Sequence, residues 1–447
     1  MALSLFDIIG PVMIGPSSSH TAGAARIGFE AYRKLKNLPE KIEITLYNSF
    51  ADTQVGHGTV RAILAGCMGI SWYDVRLKKA EAIARENKII FKVKNEHYVK
   101  YHPNTAAVVL KYKDNQVALI GASLGGGRIA VYDSASKLSA DYSREIRSIR
   151  KINERDPFFS FSSYIKKSNN DPDDLIDLII RRERLMNEKT VAATSRDMFQ
   201  AWSVMKQGIE ENIKNKEKLF KGLCGGDAFK FNDSRGGQLL SPITKDAMAY
   251  ALAIGERNAG MGCIVAAPTA GSAGIVPGVL YSLWKNQKLP EEKIIKALFV
   301  AGALGLVIAN RATLAGSEGG CQAECGAATA MAAGAVAYLH GASIDYIDNA
   351  ASIALSNALG LVCDPISGMV AVPCIHRNAL SASVALSAAS MALAGIDFVV
   401  RFDEVVDTLR KIGEKIPVQL KETSRGGLAV TKTGLRYNKI LLSREHI

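Results

Sequence analysis

Apolar and polar positions alternate through KIEITLYNSF at residues 41–50, and the β-branched content of that run predicts a strand. The stretch before it, AGAARIGFEAYRKL at 22–35, is alanine-rich with apolar residues at helical spacing, which predicts a helix. A second helical pattern opens after VGHG at 55–58, and further β-rich runs follow: KIIFKVK, AAVVLKYK, QVALIGAS and RIAVYD. Strands gathered with a few helices make residues 1–133 a small α/β domain. Residues 134–157 turn charged and lose bulky apolar side chains, which marks a linker between domains. From Leu175 to Ile213 apolar residues recur at helical spacing among many charges, as in long helices packed on a surface. Beyond Lys245 the composition changes. Segments rich in Ala and Gly, such as EEKIIKALFVAGALGLVIANRATLAG and CQAECGAATAMAAGAVAYLHG, carry the small residues that let helix backbones approach closely. Residues 158–447 are therefore expected to form a mainly α-helical domain, and the whole chain an α+β protein.

Two domains suit a chain of 447 residues, each long enough to bury a core. Hydrophobic residues make up 48% and charged ones 22%, the balance of a compact globular protein rather than a disordered one. The net charge of +12 reads as solvated surface: there is no basic stripe with interleaved aromatics, so no nucleic-acid partner is expected. The longest weakly polar run, residues 379–396, has four serines and few bulky apolar side chains, so it reads as a tightly packed helix and not as a membrane span. The N-terminus, MALSLFDIIGPVMIG, lacks a basic leader and runs straight into the first motif. Seven cysteines, an odd number without a secretory leader, do not describe a disulfide framework, and a cytoplasmic location is expected.

Candidate chemistry sits in the breaks between these elements. Cys321 follows a glycine pair in SEGGCQAECG, while Cys363 and Cys374 bracket CDPISGMVAVPC, where two prolines bar an ordinary helix. Soft thiolates on glycine and proline turns suit zinc or an iron–sulfur cluster. The gaps of 42 and 11 residues match no zinc finger, ribbon or ferredoxin run. Cys325, four residues after Cys321, would share its helical face and offers a further ligand by geometry alone. Cys67, Cys224 and Cys263 read as ordinary buried thiols. In GPSSSHTAG, the hydroxyls of Ser17, Ser18, Ser19 and Thr21 can cap the following helix and leave its free N–H groups facing outward for a carboxylate; a plain capped helix is the alternative. His57, between two glycines, is placed to expose its imidazole, or is simply structural. The triple glycine in SLGGGRI at 123–129 lies between two strands, with no following helix and no lysine or threonine inside it, so it is not read as a nucleotide loop. The lysines between Asp246 and Asp397 are Lys285, Lys288, Lys293 and Lys296, all in a charged loop and helix start, so none suits a buried Schiff base with pyridoxal phosphate.

These cysteines, together with SSSHTAG at 17–23 and APTAGSAGIVPG at 267–278, closely resemble the iron–sulfur-dependent bacterial L-serine dehydratases over nearly the whole chain, with small and catalytic domains fused. The resemblance implies conversion of L-serine to pyruvate and ammonia, a carbon–nitrogen lyase reaction. It implies a 4Fe-4S cluster held at three irons by Cys321, Cys363 and Cys374, with the fourth iron open to substrate as a Lewis acid. It assigns His20 and His57 to base and orienting partner without saying which is which, and it assigns Ser17, Ser18, Ser19, Thr21, Thr269 and Gly271 to substrate binding. Some relatives end in a cysteine that folds back onto the open iron. Here no cysteine follows Cys374, so that iron is expected to carry water or a solute anion, with His446 at a frayed end. A homo-oligomer, most simply a dimer, is expected, with the active site between the domains. A lyase acting on a related small amino or hydroxy acid and a non-catalytic iron–sulfur sensor are the competing readings.

Overall fold

The computed structural model describes residues 3–98, 100–133, 159–234 and 239–442. The expected linker at 134–157 lies outside the described residues, as does His446. The strands are β1 (Val12–Ile14), β2 (Lys41–Tyr47), β3 (Ile90–Glu96), β4 (Thr105–Tyr112), β5 (Asn115–Gly125), β6 (Arg128–Tyr132) and β7 (Cys263–Val265). Five of them form one mixed sheet in the order β3-β2-β4-β5-β6, parallel between β2 and β3 and antiparallel elsewhere. The alternation in KIEITLY sets its faces: Ile42, Ile44 and Leu46 are buried while Lys41 and Glu43 stay exposed, and Ala106, Val108 and Leu110 of β4 face inward beside them. Helices α1 (Ala24–Leu35) and α2 (Thr59–Cys67) cover that face. They cross almost in contact, since a Cβ on Gly66 would stand 2.0 Å from the Ala25 carbonyl oxygen.

The larger unit is helical. Around α6 (Ala327–Leu339) stand α4 (Ile275–Gln287), α5 (Glu291–Arg311), α7 (Ile344–Ser356) and α8 (Cys374–Leu393), and α3 (Pro242–Ala259) packs outside them on α4 and α8. Every residue of α6 from Ala327 to Ala337 is buried, as its small and apolar side chains on all sides require of a central helix. The expected loop APTAGSAGIVPG is shorter than its composition suggested: Ile275 to Gly278 already form the first turn of α4, where Pro277 sacrifices no hydrogen bond. The run at 379–396 is one-sided, with Ala382, Ala385, Ala389 and Ala392 buried and Leu380, Met391 and Leu393 exposed. Among the described residues no helix is long and apolar enough to cross a membrane.

The opening residues stitch the two units together. Leu3, Leu5, Ile8, Ile9 and Met13 sink into the helical core, and β1 pairs antiparallel with β7. The buried Glu183 accepts hydrogen bonds from the Leu5 N–H at 2.8 Å and from Ser4 Oγ at 2.7 Å, which pins the segment just ahead of the SSSHTAG motif.

Candidate active site

SSSHTAG does not begin an ordinary capped helix. Ser17 Oγ accepts from the His20 N–H at 3.0 Å, and Ser18–Gly23 then wind as a π-helical turn before α1 starts at Ala24. Such turns are rare and occur frequently at functional sites. The turn carries the motif inward: Ser17, Ser18, Ser19 and Thr21 are buried and His20 completely so, which corrects the expectation of N–H groups facing outward. His57 is fully buried as well, and not exposed. Its flanking Gly56 serves a close approach, because a Cβ there would lie 2.4 Å from the Gly368 carbonyl oxygen. That contact presses VGHG onto CDPISG of the larger unit.

The two imidazole rings lie 4.4 Å apart between centroids. His20 Nε2 meets Ser49 Oγ at 3.0 Å, and its Nδ1 is 3.5 Å from Ser17 Oγ. Thr21 Oγ1 donates to the His57 carbonyl at 2.8 Å. Thr53 Oγ1 spends its proton on the Ser49 carbonyl at 2.8 Å, so at 3.0 Å from His57 Nδ1 it accepts, and the hydrogen-bond pattern assigns the proton to Nδ1. His57 Nε2 then carries a lone pair, and this buried atom has no hydrogen-bond partner among the described residues. Glu422 Oε1 lies 3.7 Å from it and 4.0 Å from His20 Nδ1. The donor atoms of His20, His57 and Glu422 all fall within 4.8 Å of one another.

Glu422 joins the imidazoles to the thiols. Its N–H donates to the Cys363 carbonyl at 2.8 Å, and the Cys363 N–H donates to the Leu420 carbonyl at 2.8 Å, a short parallel bridge. Glu422 itself sits at φ 59°, a left-handed conformation that non-glycine residues hold only where their surroundings over-determine it. Cys374 opens α8, and Cys321 directly precedes a second π-helical turn, Gln322–Gly326, which runs into α6. All three thiols are buried and free of disulfides. Cys363 feels the charges of both Cys321 and Cys374. Cys321 Sγ is 3.4 Å from Cys325 Sγ. Glu324, inside that turn, faces Thr269, and its carboxylate oxygens would stand 3.5 Å from a Cβ on Gly271. Asn378 ties this loop to α8: Oδ1 accepts from the Gly274 N–H at 2.9 Å, while Nδ2 donates to the carbonyls of Gly271 at 2.7 Å and Cys374 at 2.8 Å.

Burial acts on the two groups in opposite senses. It drives His57 down to about 3 and His20 well below the usual imidazole range, where the neighbouring His57 and His102 press it further, so both rings are neutral. It lifts Glu422 to about 7, with the Cys321 charge adding to it, and lifts Glu324, which also faces Glu422 and Cys321. Cys363 and Cys374 are likewise raised by burial first. Cys321 alone among the thiols moves down, because the hydrogen bond from Cys325 outweighs burial and the Arg377 guanidinium assists. Burial pulls Arg377 down, yet Cys321, Asp364 and Cys374 push it up further than that. The result is a neutral base with a free lone pair beside buried sulfur donors of the kind that soft metals take.

A family model described as serine dehydratase beta chain matches residues 4–132, and one described as serine dehydratase alpha chain matches residues 137–429. The chain belongs to the serine dehydratase family. It is 31% identical to the L-serine dehydratase of Streptomyces coelicolor in an alignment covering 96% of this chain and 99% of that one. Against the L-serine dehydratase of Mycobacterium bovis the identity is 33%, covering 96% and 98%. The probable L-serine dehydratase alpha chain of Bacillus subtilis is 45% identical over 59% of this chain and 88% of its own length. In this chain the alpha-like and beta-like parts are thus fused, and His20 and His57 of the beta-like part meet Cys363 of the alpha-like part through Glu422. Four residues of the site went unmarked in the sequence: Glu324, Arg377, Asn378 and Glu422. Glu324 lies between two quoted cysteines, a signal that was on view. Glu422, in KETSRGG, has no motif around it, and only the bridge to Cys363 brings it in.

Proposed function

We propose that the protein is an L-serine dehydratase that converts L-serine to pyruvate and ammonia, with a 4Fe-4S cluster on Cys321, Cys363 and Cys374. The observation that carries the reading is the buried, unpartnered lone pair of His57 Nε2, set across Glu422 from the buried thiols. The donor set fits the cluster: sulfur only, enclosed, and on glycine and proline turns with irregular backbone. When bound, the cluster supplies a Lewis acid at its open iron that polarises the leaving hydroxyl. His57 Nε2 takes the α-proton, since it is neutral and its Nδ1 is held by Thr53. His20, fixed by Ser49, keeps the second ring against it. Ser18 and Ser19 anchor the substrate carboxylate; among the described residues their hydroxyls make no hydrogen bond. Ser17 and Thr21 are positioning residues, one for His20 and the other for the His57 backbone. Thr269 and Gly271 complete the wall on the Glu324 side. The C–H and C–O bonds break with loss of water to give aminoacrylate, which tautomerises to the imine and is hydrolysed to pyruvate and ammonia.

The reading includes a cytoplasmic enzyme with domains at 1–133 and 158–447 joined by residues 134–157, and a homodimer, for which the exposed apolar side chains of α8, Leu380, Met391 and Leu393, offer a surface. The four lysines of the central helices are exposed, which leaves no Schiff-base candidate there. The test is anaerobic reconstitution with iron and sulfide, followed by assay on L-serine, D-serine, L-threonine and L-cysteine. Equimolar pyruvate and ammonia from L-serine are expected. No pyruvate from L-serine in a protein with full iron and sulfide would refute the assignment.

A further inference from the structure

The triple glycine of SLGGGRI has no part in that chemistry, and it forms one wall of a cavity of about 290 Å³. The cavity lies where the β5–β6 turn meets the end of α5 and the helix Phe402–Lys415, and none of His20, His57, Glu422 or the cysteines lines it. Gly125, Gly126 and Gly127 take φ of 93°, 59° and 77°, a turn that only glycine makes without strain, and it directs the next residue, Arg128, to the cavity. The Arg128 guanidinium has no hydrogen bond or ion pair among the described residues. Asn310, in the same lining, is 4% exposed, and among the described residues neither its amide oxygen nor its amide nitrogen has a partner. Buried polar groups are almost always satisfied, and the orphaned Asn310 amide beside the half-buried Arg128 guanidinium at one cavity points to a ligand that satisfies both.

The other polar groups define what that ligand is. Asp7 and Glu318 line the same cavity. Asp7 accepts from the Ser4 N–H at 3.0 Å, and Glu318 accepts from Thr313 Oγ1 at 2.6 Å and faces His102 Nε2 at 3.5 Å. Arg311 and Arg410 are engaged by Asp407 and Glu414, at 2.6 Å and 2.9 Å. A free cation beside two carboxylates disfavours a phosphate and suits a zwitterion. The volume is at the small end of ligand sites. We infer that this cavity binds a small free α-amino acid, its carboxylate on Arg128 and the Asn310 amide N–H, its ammonium toward Asn310 Oδ1 and the Asp7 and Glu318 carboxylates. Glu318 precedes Cys321 by three residues in SEGGC, and His102 stands in the surroundings of His20, so an occupant that draws on Glu318 is felt at the catalytic centre.

The test is equilibrium dialysis of the full chain, with and without reconstituted iron and sulfide, against labelled glycine, L-alanine and L-aspartate, none of which has a β-hydroxyl to lose. Saturable binding of one equivalent per chain is expected for at least one of them. Arg128→Met and Asn310→Leu should each weaken it by about tenfold or more, the usual effect of losing a hydrogen bond to a charged group. Asn310→Leu removes no protein hydrogen bond among the described residues, so that variant should melt no lower than the native chain, whereas Arg128→Met also gives up the attraction of Asp7 and Glu318. Binding should persist in His57→Ala and in Cys321→Ser, which separates this site from the active site whatever the substrate of the latter. No saturable binding of any of the three, or binding untouched in both cavity variants, overturns the inference; so does loss of binding in the His57 and Cys321 variants.

Discussion

Ser18–Gly23 and Gln322–Gly326 are both π-helical turns that feed an alanine-rich helix, and each turns its motif's chemistry inward. They differ in what burial does to that chemistry. Around the first, desolvation leaves His20 and His57 neutral, which is the state a base needs. Around the second, desolvation favours protonated Cys363, Cys374 and Glu324, which is the wrong state for a metal ligand. Only Cys321, helped by Cys325 and Arg377, is drawn toward thiolate. One backbone device thus leaves its two sides in opposite states: on the proposed reading the imidazole side can accept a proton as it stands, while the thiol side would need a bound cation to hold its sulfurs deprotonated.

The comparison breaks first at the thiols. Cys363→Ser should abolish both iron binding and turnover, whereas Cys67→Ser, in the core of the small unit, should keep both. Full iron content in Cys363→Ser, measured by metal analysis of anaerobically purified protein, would show that the thiol side is not a metal site. A smaller effect is expected at Asn378. Replacement by Leu strands the Gly274 N–H and the Gly271 and Cys374 carbonyls, a cost of about 2–4 kcal/mol in stability. Thermal unfolding should begin several degrees lower, and an unchanged Tm would mean that the loop is not hung from α8.

The smallest effect belongs to a buried carboxyl away from both turns. Asp348 is raised from 3.8 to about 7 by burial, although the Phe402 N–H, at 3.4 Å, and Arg401 oppose the shift. Between those values the folded chain keeps a proton that the unfolded chain has released, so stability falls as pH rises through that window and is level above it. Asp348→Asn should remove the slope, so that its Tm gains on the native protein from about pH 5 to about pH 8. A pH-independent difference would place the Asp348 titration elsewhere.

How much of this was legible follows from range. KIEITLY and the alanine-rich helices declare themselves through local periods of two and 3.6 residues, so their elements were readable. The three thiols and two histidines stood out as motifs. The π turns did not, because they use the same small and polar residues as an ordinary capped helix. The sequence leaves His57 open between an exposed and a structural imidazole because glycine permits both exposure and close approach, and only the neighbouring Gly368 decides which. Glu422 reaches the imidazoles by a bridge to Cys363 that joins segments far apart in sequence, a contact no local pattern announces.

The most direct test of the two-sided site is iron content and pyruvate formation from L-serine measured together in anaerobically purified His57→Ala. If the imidazole moves the proton and the thiols hold the metal, iron should match the native protein while turnover falls by about a hundredfold or more. Near-native turnover, or loss of iron along with activity, would contradict that division of labour.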